Sequence, residues 1–253
     1  MNTMAARRPF QGVLQIVAFN WQMYATAAAA LGAACVAWPL VGRPERTAMM
    51  AGLAPALFWM AASLVVSHYV YDRSPLYQMD WLARVLAIPV HSWINIHSGW
   101  DESSLRLQAI FPDAAGKVVD IFDPRVMTEP SIRRARRLNH GAAVARPARF
   151  DALPFGDSSF DAAFCIFAAH ELRHASERVA LLRDIARVLR EPGECVVVEH
   201  VRDWRNFLAF GPGFLHFFSR GSWRRTASEA GLILANEFAF TPFVRVFIFR
   251  RKP

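Results

Sequence analysis

Residues 11–42 and 47–71 contain no Asp, Glu, Lys or Arg, and these two charge-free stretches constrain the chain more than any other feature. A helix needs about 20 mainly apolar residues to cross a bilayer, so each stretch is long enough to span. Only Arg43-Pro44-Glu45-Arg46 separates them, a polar turn with a helix-breaking proline. The expectation is an antiparallel pair of transmembrane helices. A small-residue face, Ala25, Ala29 and Gly32 with Gly52 opposite, predicts that the two helices pack closely. Gln15, Asn20 and Gln22 are costly in lipid and are expected against protein or near the interface. Arg7-Arg8-Pro9-Phe10 also looks like a twin-arginine start, which makes a cleaved leader the competing reading of the first stretch. The second uncharged stretch, following at once, favours the anchor.

From Asp72 onward the texture is that of a folded domain, so the chain divides into a membrane anchor, residues 1–73, and a domain, residues 74–253. With 253 residues, 54% of them hydrophobic, there is enough chain for one sizeable core besides the anchor. The net charge of +8 is carried mainly by arginines, among them Arg133-Arg134, Arg136-Arg137, Arg224-Arg225 and Arg250-Arg251. Nucleic acid is one reading of such a balance. Beside a membrane anchor, attraction to anionic headgroups is simpler, so the expected partner is the lipid bilayer and not nucleic acid. Cys35, Cys165 and Cys195 are scattered in apolar settings without metal spacing, which implies packing roles and no disulfide framework.

Leu76, Trp81, Leu82, Val85 and Leu86 recur at roughly helical spacing and predict a helix at the membrane surface. Strands are then expected at 93–96, 117–122, 161–167 and 195–199, with helices at 101–110, 128–138, 176–190 and 223–230 between or after them. A closing pair of strands is expected at 232–240 and 243–249. Alternation of helices with continuous apolar strands indicates the α/β class: a Rossmann-like, mostly parallel sheet flanked by helices, preceded by an α-helical transmembrane hairpin.

The most specific motif is Leu153-Pro154-Phe155-Gly156-Asp157-Ser158-Ser159-Phe160-Asp161, followed by an apolar strand and then Arg187-Val188-Leu189-Arg190-Glu191-Pro192-Gly193. At these residues the chain resembles the class I S-adenosylmethionine-dependent methyltransferases, of the type 11 kind, over roughly residues 90–250. The resemblance implies S-adenosylmethionine as cofactor, with the loop around Asp151 and Leu153 approaching the adenine and Phe167 at the end of a central strand. It also implies a carboxylate at the end of the second strand, accepting hydrogen bonds from both ribose hydroxyls. Asp120 and Asp123 compete for that role, and Pro124 tilts the reading towards Asp123. The family's glycine-rich turn corresponds to Asn95-Ile96-His97-Ser98-Gly99-Trp100-Asp101. Here Gly99 matches the pattern, whereas Asn95 stands for an acid and His97 and Asp101 for glycines, so the cofactor site departs from the family at Asn95, His97 and Asp101.

His170-Glu171-Leu172-Arg173-His174 matches H-E-x-x-H, which on a helix would hold zinc. It directly follows a strand-like run, at the strand end where α/β folds place their ligand crevice, so no metal is expected and His170 and Glu171 are read as crevice residues. His200, after the last central strand, is the other candidate general base. The aromatic stretch from Asn206 to Phe218, broken by Gly211-Pro212-Gly213, suits a lid over the crevice. The leading functional reading is a methyltransferase acting on a lipophilic or membrane-associated small molecule, its domain on the cytosolic face of the inner membrane because the methyl donor is made in the cytosol. The alternative is a non-catalytic methyltransferase-like domain that tethers or assembles a membrane protein partner, and a third reading is a zinc metalloprotease.

Overall fold

The computed structural model describes residues 8–138 and 144–252. Arg7 of the paired-arginine start lies outside the described residues. The first charge-free stretch is divided. Helix α1, Gln11–Phe19, stops at Asn20, whose backbone leaves helical geometry (φ −119°, ψ 20°), and α2, Trp21–Ala37, starts afresh. Helix α3, Arg43–Ser67, follows and continues as a π-helical turn, His68–Arg73. Among the described residues, Trp21–Leu40 and Arg43–Gln78 are long and apolar enough to cross a membrane, by length and composition.

Helix α1 lies outside both of these stretches and is docked on the domain. The Asp72 carboxylate accepts hydrogen bonds from the backbone N–H groups of Gly12 (2.6 Å) and Val13 (3.2 Å), satisfying donors that the first turn of a helix leaves open. Gln15 donates to Glu102 at 2.8 Å, and Arg134 donates to the Phe19 carbonyl and the Gln22 side chain. Gln15 is thus placed against the domain, while Gln22 is exposed and meets it only through Arg134. The small-residue face behaves otherwise. A methyl group at Gly32 or Gly52 would meet nothing within 4 Å, so α2 and α3 do not approach closely there.

The predicted surface helix is mostly core. Only α4, Leu82–Val85, is α-helical, and Leu76, Trp81 and Leu82 are buried with Trp93, Phe164 and Val196 against one face of the sheet. The Trp81 indole donates to the Leu76 carbonyl at 3.1 Å, closing the segment on itself. Then come β1 (Ser92–His97), α5 (Ser104–Ile110), β2 (Ala115–Asp120), α6 (Pro130–Leu138), β3 (Arg146–Pro147), β4 (Phe160–Ile166), α7 (Ala175–Val188) and β5 (Leu189–His200). The chain closes with α8 (Trp204–Phe210), α9 (Arg220–Glu229), β6 (Leu232–Thr241) and β7 (Val244–Arg251). Asp101 accepts from the Ser103 and Ser104 N–H groups, both at 3.0 Å, so it caps α5 from just outside a helix that begins later than its sequence suggested.

The seven strands form one sheet in the order β3-β2-β1-β4-β5-β7-β6. Strands β1 to β5 are parallel, and β7 runs antiparallel to β5 and β6. Burial on both faces explains why the inner strands read as uninterrupted apolar runs: Ala162 to Cys165 and Cys195 to Val198 are fully enclosed. The strand order reverses between β1 and β4, and such a reversal opens a crevice at the carboxyl ends of the strands.

Candidate functional site

At that end lies a cavity of about 450 Å³. One wall is the domain: Ser98 after β1, Ile166 and Phe167 at the end of β4, and Glu199 and His200 closing β5. The opposite wall comes from the N-terminal helices, through Ile16 and Phe19 of α1, Met23 and Tyr24 of α2, and Ser63 and Ser67 of α3. Phe210, His216 and Phe217 of the aromatic stretch complete it. That stretch is fixed to the apolar helices, because Trp59 of α3 stands edge-on to Phe207 at 5.5 Å and occupies the space a Cβ on Gly211 would need.

The two candidate histidines have opposite electrostatics. His200 Nδ1 faces the Phe243 carbonyl at 2.9 Å and Nε2 faces the Tyr71 hydroxyl at 2.7 Å, while Phe167 and Phe217 stack on the ring. Burial among these rings lowers its pKa to about 4, against a smaller opposing effect of the Phe243 carbonyl, so the ring is neutral at neutral pH. It then carries its proton on Nδ1, and Nε2 accepts from Tyr71. For His170, burial works against the charge, but Glu199 and Glu171 outweigh it and raise the pKa to about 10. Its Nδ1 lies 2.8 Å from Glu199 and its Nε2 3.4 Å from Glu171. In its charged form His170 donates from both nitrogens, held between the two carboxylates.

The positions implied for the cofactor fall into two sets. Asn95, His97, Gly99 and Asp120 come together at the ends of β1 and β2, where His97 and Asp120 are register partners. Asn95 is buried and donates to Ser103 and Ser104 at 2.8 and 2.7 Å, so it braces the start of α5. His97 Nδ1 accepts the Gly99 N–H at 3.0 Å, closing the turn that glycines close in the family pattern; its Nε2 is buried without a hydrogen-bond partner. Gly99 adopts φ +110°, where a side chain would be strained, and a Cβ there would run into Arg136. Arg136 donates to Asp120 at 2.6 Å and lies over the Phe122 ring at 4.2 Å. One guanidinium therefore fills the slot in front of Gly99, Asp120 and Phe122.

The second set is dispersed; of all the positions implied for the cofactor, Phe167 alone is among the residues lining the cavity, and the first set borders it through Ser98 and Trp100. Asp123 is engaged by Arg125 on its own turn, and that hydrogen-bonded pairing lowers its pKa to about 2. Asp151 pairs with Arg149 at 2.7 Å, and Leu153 is buried with its N–H on the Asp184 carboxylate. Phe167 does line the cavity, with a left-handed backbone (φ 50°) that turns it towards His200.

The H-E-x-x-H segment does not form the helix zinc peptidases need. Ala169–Glu171 is a single 3-10 turn, Leu172 is extended, and the exposed His174 is the N-cap of α7. His216 comes alongside His170 and Glu171 instead, and the ligand atoms of the three lie within 4.8 Å of one another. Sequence reasoning passed over His216 and Arg136. His216 was one polar residue inside an aromatic lid, and Arg136 one of four arginines in a basic run.

With this geometry in place, comparison with known proteins gives the following. Residues 125–197 match the family described as "Methyltransferase domain". No curated protein matches the chain. Among solved structures, a chain from the Haloferax volcanii complex of the Trm112 methyltransferase activator with a methyltransferase is similar at 14% identity and a TM-score of 0.52, over 78% of this chain and 96% of that one. A SAM-dependent methyltransferase from Aquifex aeolicus is similar at 14% identity and a TM-score of 0.51, over 70% and 93% of the two chains. The likeness shows a methyltransferase fold.

Proposed function

We propose that this chain is a membrane-anchored S-adenosylmethionine-dependent methyltransferase whose acceptor is a lipophilic or membrane-associated small molecule. One observation carries the reading: a single cavity joins the carboxyl ends of β1, β4 and β5 to the inner faces of α1, α2 and α3. An acceptor that partitions into the bilayer would reach the crevice along the helices without crossing water, and an apolar lining favours such a ligand. On this reading α2 and α3 hold the domain to the cytosolic face of the inner membrane, and the boundary near residue 73 divides anchor from domain while α1 folds back to roof the cavity.

The residues present fit the cofactor. Asp120 already accepts a donor at 2.6 Å in the slot, as a ribose hydroxyl would require, Gly99 leaves the floor open, and Phe122 offers a ring face. Asp120 is therefore the ribose carboxylate in this proposal, because it ends β2 in the slot beside Gly99, whereas Asp123 pairs with Arg125 on its own turn beyond the strand. Arg136 must swing out, and its side chain is 33% exposed, so solvent can receive it. Asn95 and His97 shape the turn, while Asp151 and Leu153 border the adenine side and Phe167 the acceptor side. When bound, S-adenosylmethionine supplies an electrophilic methyl carbon; the protein's task is to align the acceptor and remove a proton. His200 and the Tyr71 hydroxyl, 2.7 Å apart, are the groups placed to orient the acceptor; the burial that keeps His200 neutral also weakens it as a base, so it would take the proton only from an acceptor that is itself acidic.

The test uses detergent-purified full-length protein, methyl-labelled cofactor and an extract of membrane lipids. Label should enter the organic-soluble fraction, and calorimetry should show cofactor binding that Asp120→Ala weakens. Absence of binding at millimolar cofactor would favour the tethered assembly module.

A further inference from the structure

We propose that His170, Glu171 and His216 form a binding site for a divalent transition-metal ion, of the class that takes imidazole and carboxylate ligands, with open coordination positions facing the cavity. The site stands whether or not the chain transfers methyl groups, because it is argued from these side chains alone.

Two imidazoles and one carboxylate make the donor set typical of zinc and non-haem iron sites that keep positions open. Ligands about 2.1 Å from a tetrahedral ion lie about 3.4 Å apart. His170 Nε2 and Glu171 Oε1 are already 3.4 Å apart, and the ligand atoms of all three residues lie within 4.8 Å of one another. His216 ends the short 3-10 segment Gly211–His216 and so reaches the other two ligands from outside the sheet.

The surroundings are those of a metal ligand and its outer partner. Glu199, whose side chain is 1% exposed, takes the His170 Nδ1 proton at 2.8 Å and the His170 backbone N–H at 3.2 Å. A carboxylate behind a histidine fixes the ring and turns the other nitrogen to the ion. Glu171 Oε2 is buried without a hydrogen-bond partner, a costly state that an ion on this carboxylate would relieve. The two segments are stapled: Arg173 Nη1 donates to the carbonyls of His170 (3.1 Å) and His216 (2.8 Å). The ion would take the place of the Nε2 proton of His170, which lies between Glu171 and Glu199, so uptake releases one proton and leaves a neutral imidazole and two carboxylates facing one dication.

The competing description is an ion-pair cluster of His170 with its two carboxylates, and the two differ in what they bind. Full-length protein in detergent, stripped with chelator, should be titrated with Co²⁺, whose visible absorption reports nitrogen and oxygen coordination, and with Zn²⁺ by calorimetry. One ion per chain is expected. Glu171→Gln and His216→Ala should each weaken binding by at least about tenfold, Glu199→Gln by about 10–100-fold, and His174→Ala should leave it unchanged. Thermal unfolding of each variant verifies folding, and Glu171→Gln keeps the size of the side chain. Failure of folded wild type to take up either ion overturns the site. So does undiminished binding in His216→Ala, or loss of binding in His174→Ala, which would restore the H-E-x-x-H reading.

Discussion

Removing the Arg136 side chain should strengthen cofactor binding, although it deletes an ion pair. Arg136 holds the slot in front of Gly99 by two contacts, the 2.6 Å pair with Asp120 and the guanidinium placed 4.2 Å over Phe122. The pair is partly exposed and contributes about 0.5–1 kcal/mol. The cation–π contact contributes a similar amount, about 0.5–1 kcal/mol. A ligand entering the slot must first break both, so Arg136→Ala should tighten S-adenosylmethionine binding by about 1–2 kcal/mol, roughly 5- to 30-fold. Calorimetry on the two purified proteins at one salt concentration measures this, and thermal unfolding should show the variant slightly less stable. Unchanged or weaker binding in Arg136→Ala would refute the reasoning: the arginine would then be a contact of the bound state, or the slot would lie elsewhere.

Further outcomes follow from the cavity walls. His200 has a folded-state pKa of about 4 against about 6.5 unfolded, so between these values the unfolded chain binds more protons and stability rises with pH. Its contribution is complete above about pH 6.5 and is lost as pH falls through 4, about 3 kcal/mol in all. Unfolding midpoints across that window should therefore fall less steeply in His200→Asn than in wild type, and parallel profiles would contradict the assignment. Asp72→Ala removes the acceptor for the Gly12 and Val13 N–H groups, at a cost of about 1 kcal/mol. Hydrogen exchange should speed up in α1 while the sheet stays protected; equal exchange in α1 would show that its docking does not depend on this cap. Reporter fusions should place the domain in the cytosol, and a C-terminal phosphatase active outside the cell would reverse the topology.

Much of the fold was legible because the sheet enforces it. Strands buried on both faces must be continuously apolar, and β1, β4 and β5 announced themselves that way. The division of residues 11–42 was not legible, since composition records the absence of charge and not the distant acceptor. Asn20 ends α1, but Asp72 and Arg134 hold it on the domain. Leu76, Trp81 and Leu82 have the periodicity of a surface helix and are core because the sheet face needs covering there. Within the site, the local motif drew attention to His174, whereas the topology delivered His216. The proposal of Asp120 over Asp123 rests on where Arg136 and Arg125 place those carboxylates, which sequence spacing does not reveal.

The central claim is that the crevice binds S-adenosylmethionine beside a cavity shared with the apolar helices, and calorimetric titration of the cofactor into wild type and Asp120→Ala tests it most directly. Loss of a charge-assisted hydrogen bond worth about 1.5–3 kcal/mol predicts saturable binding to wild type that weakens roughly 10- to 100-fold in the variant, with Asp123→Ala close to wild type. Binding that is absent from wild type, or that Asp120→Ala leaves unchanged, would contradict it.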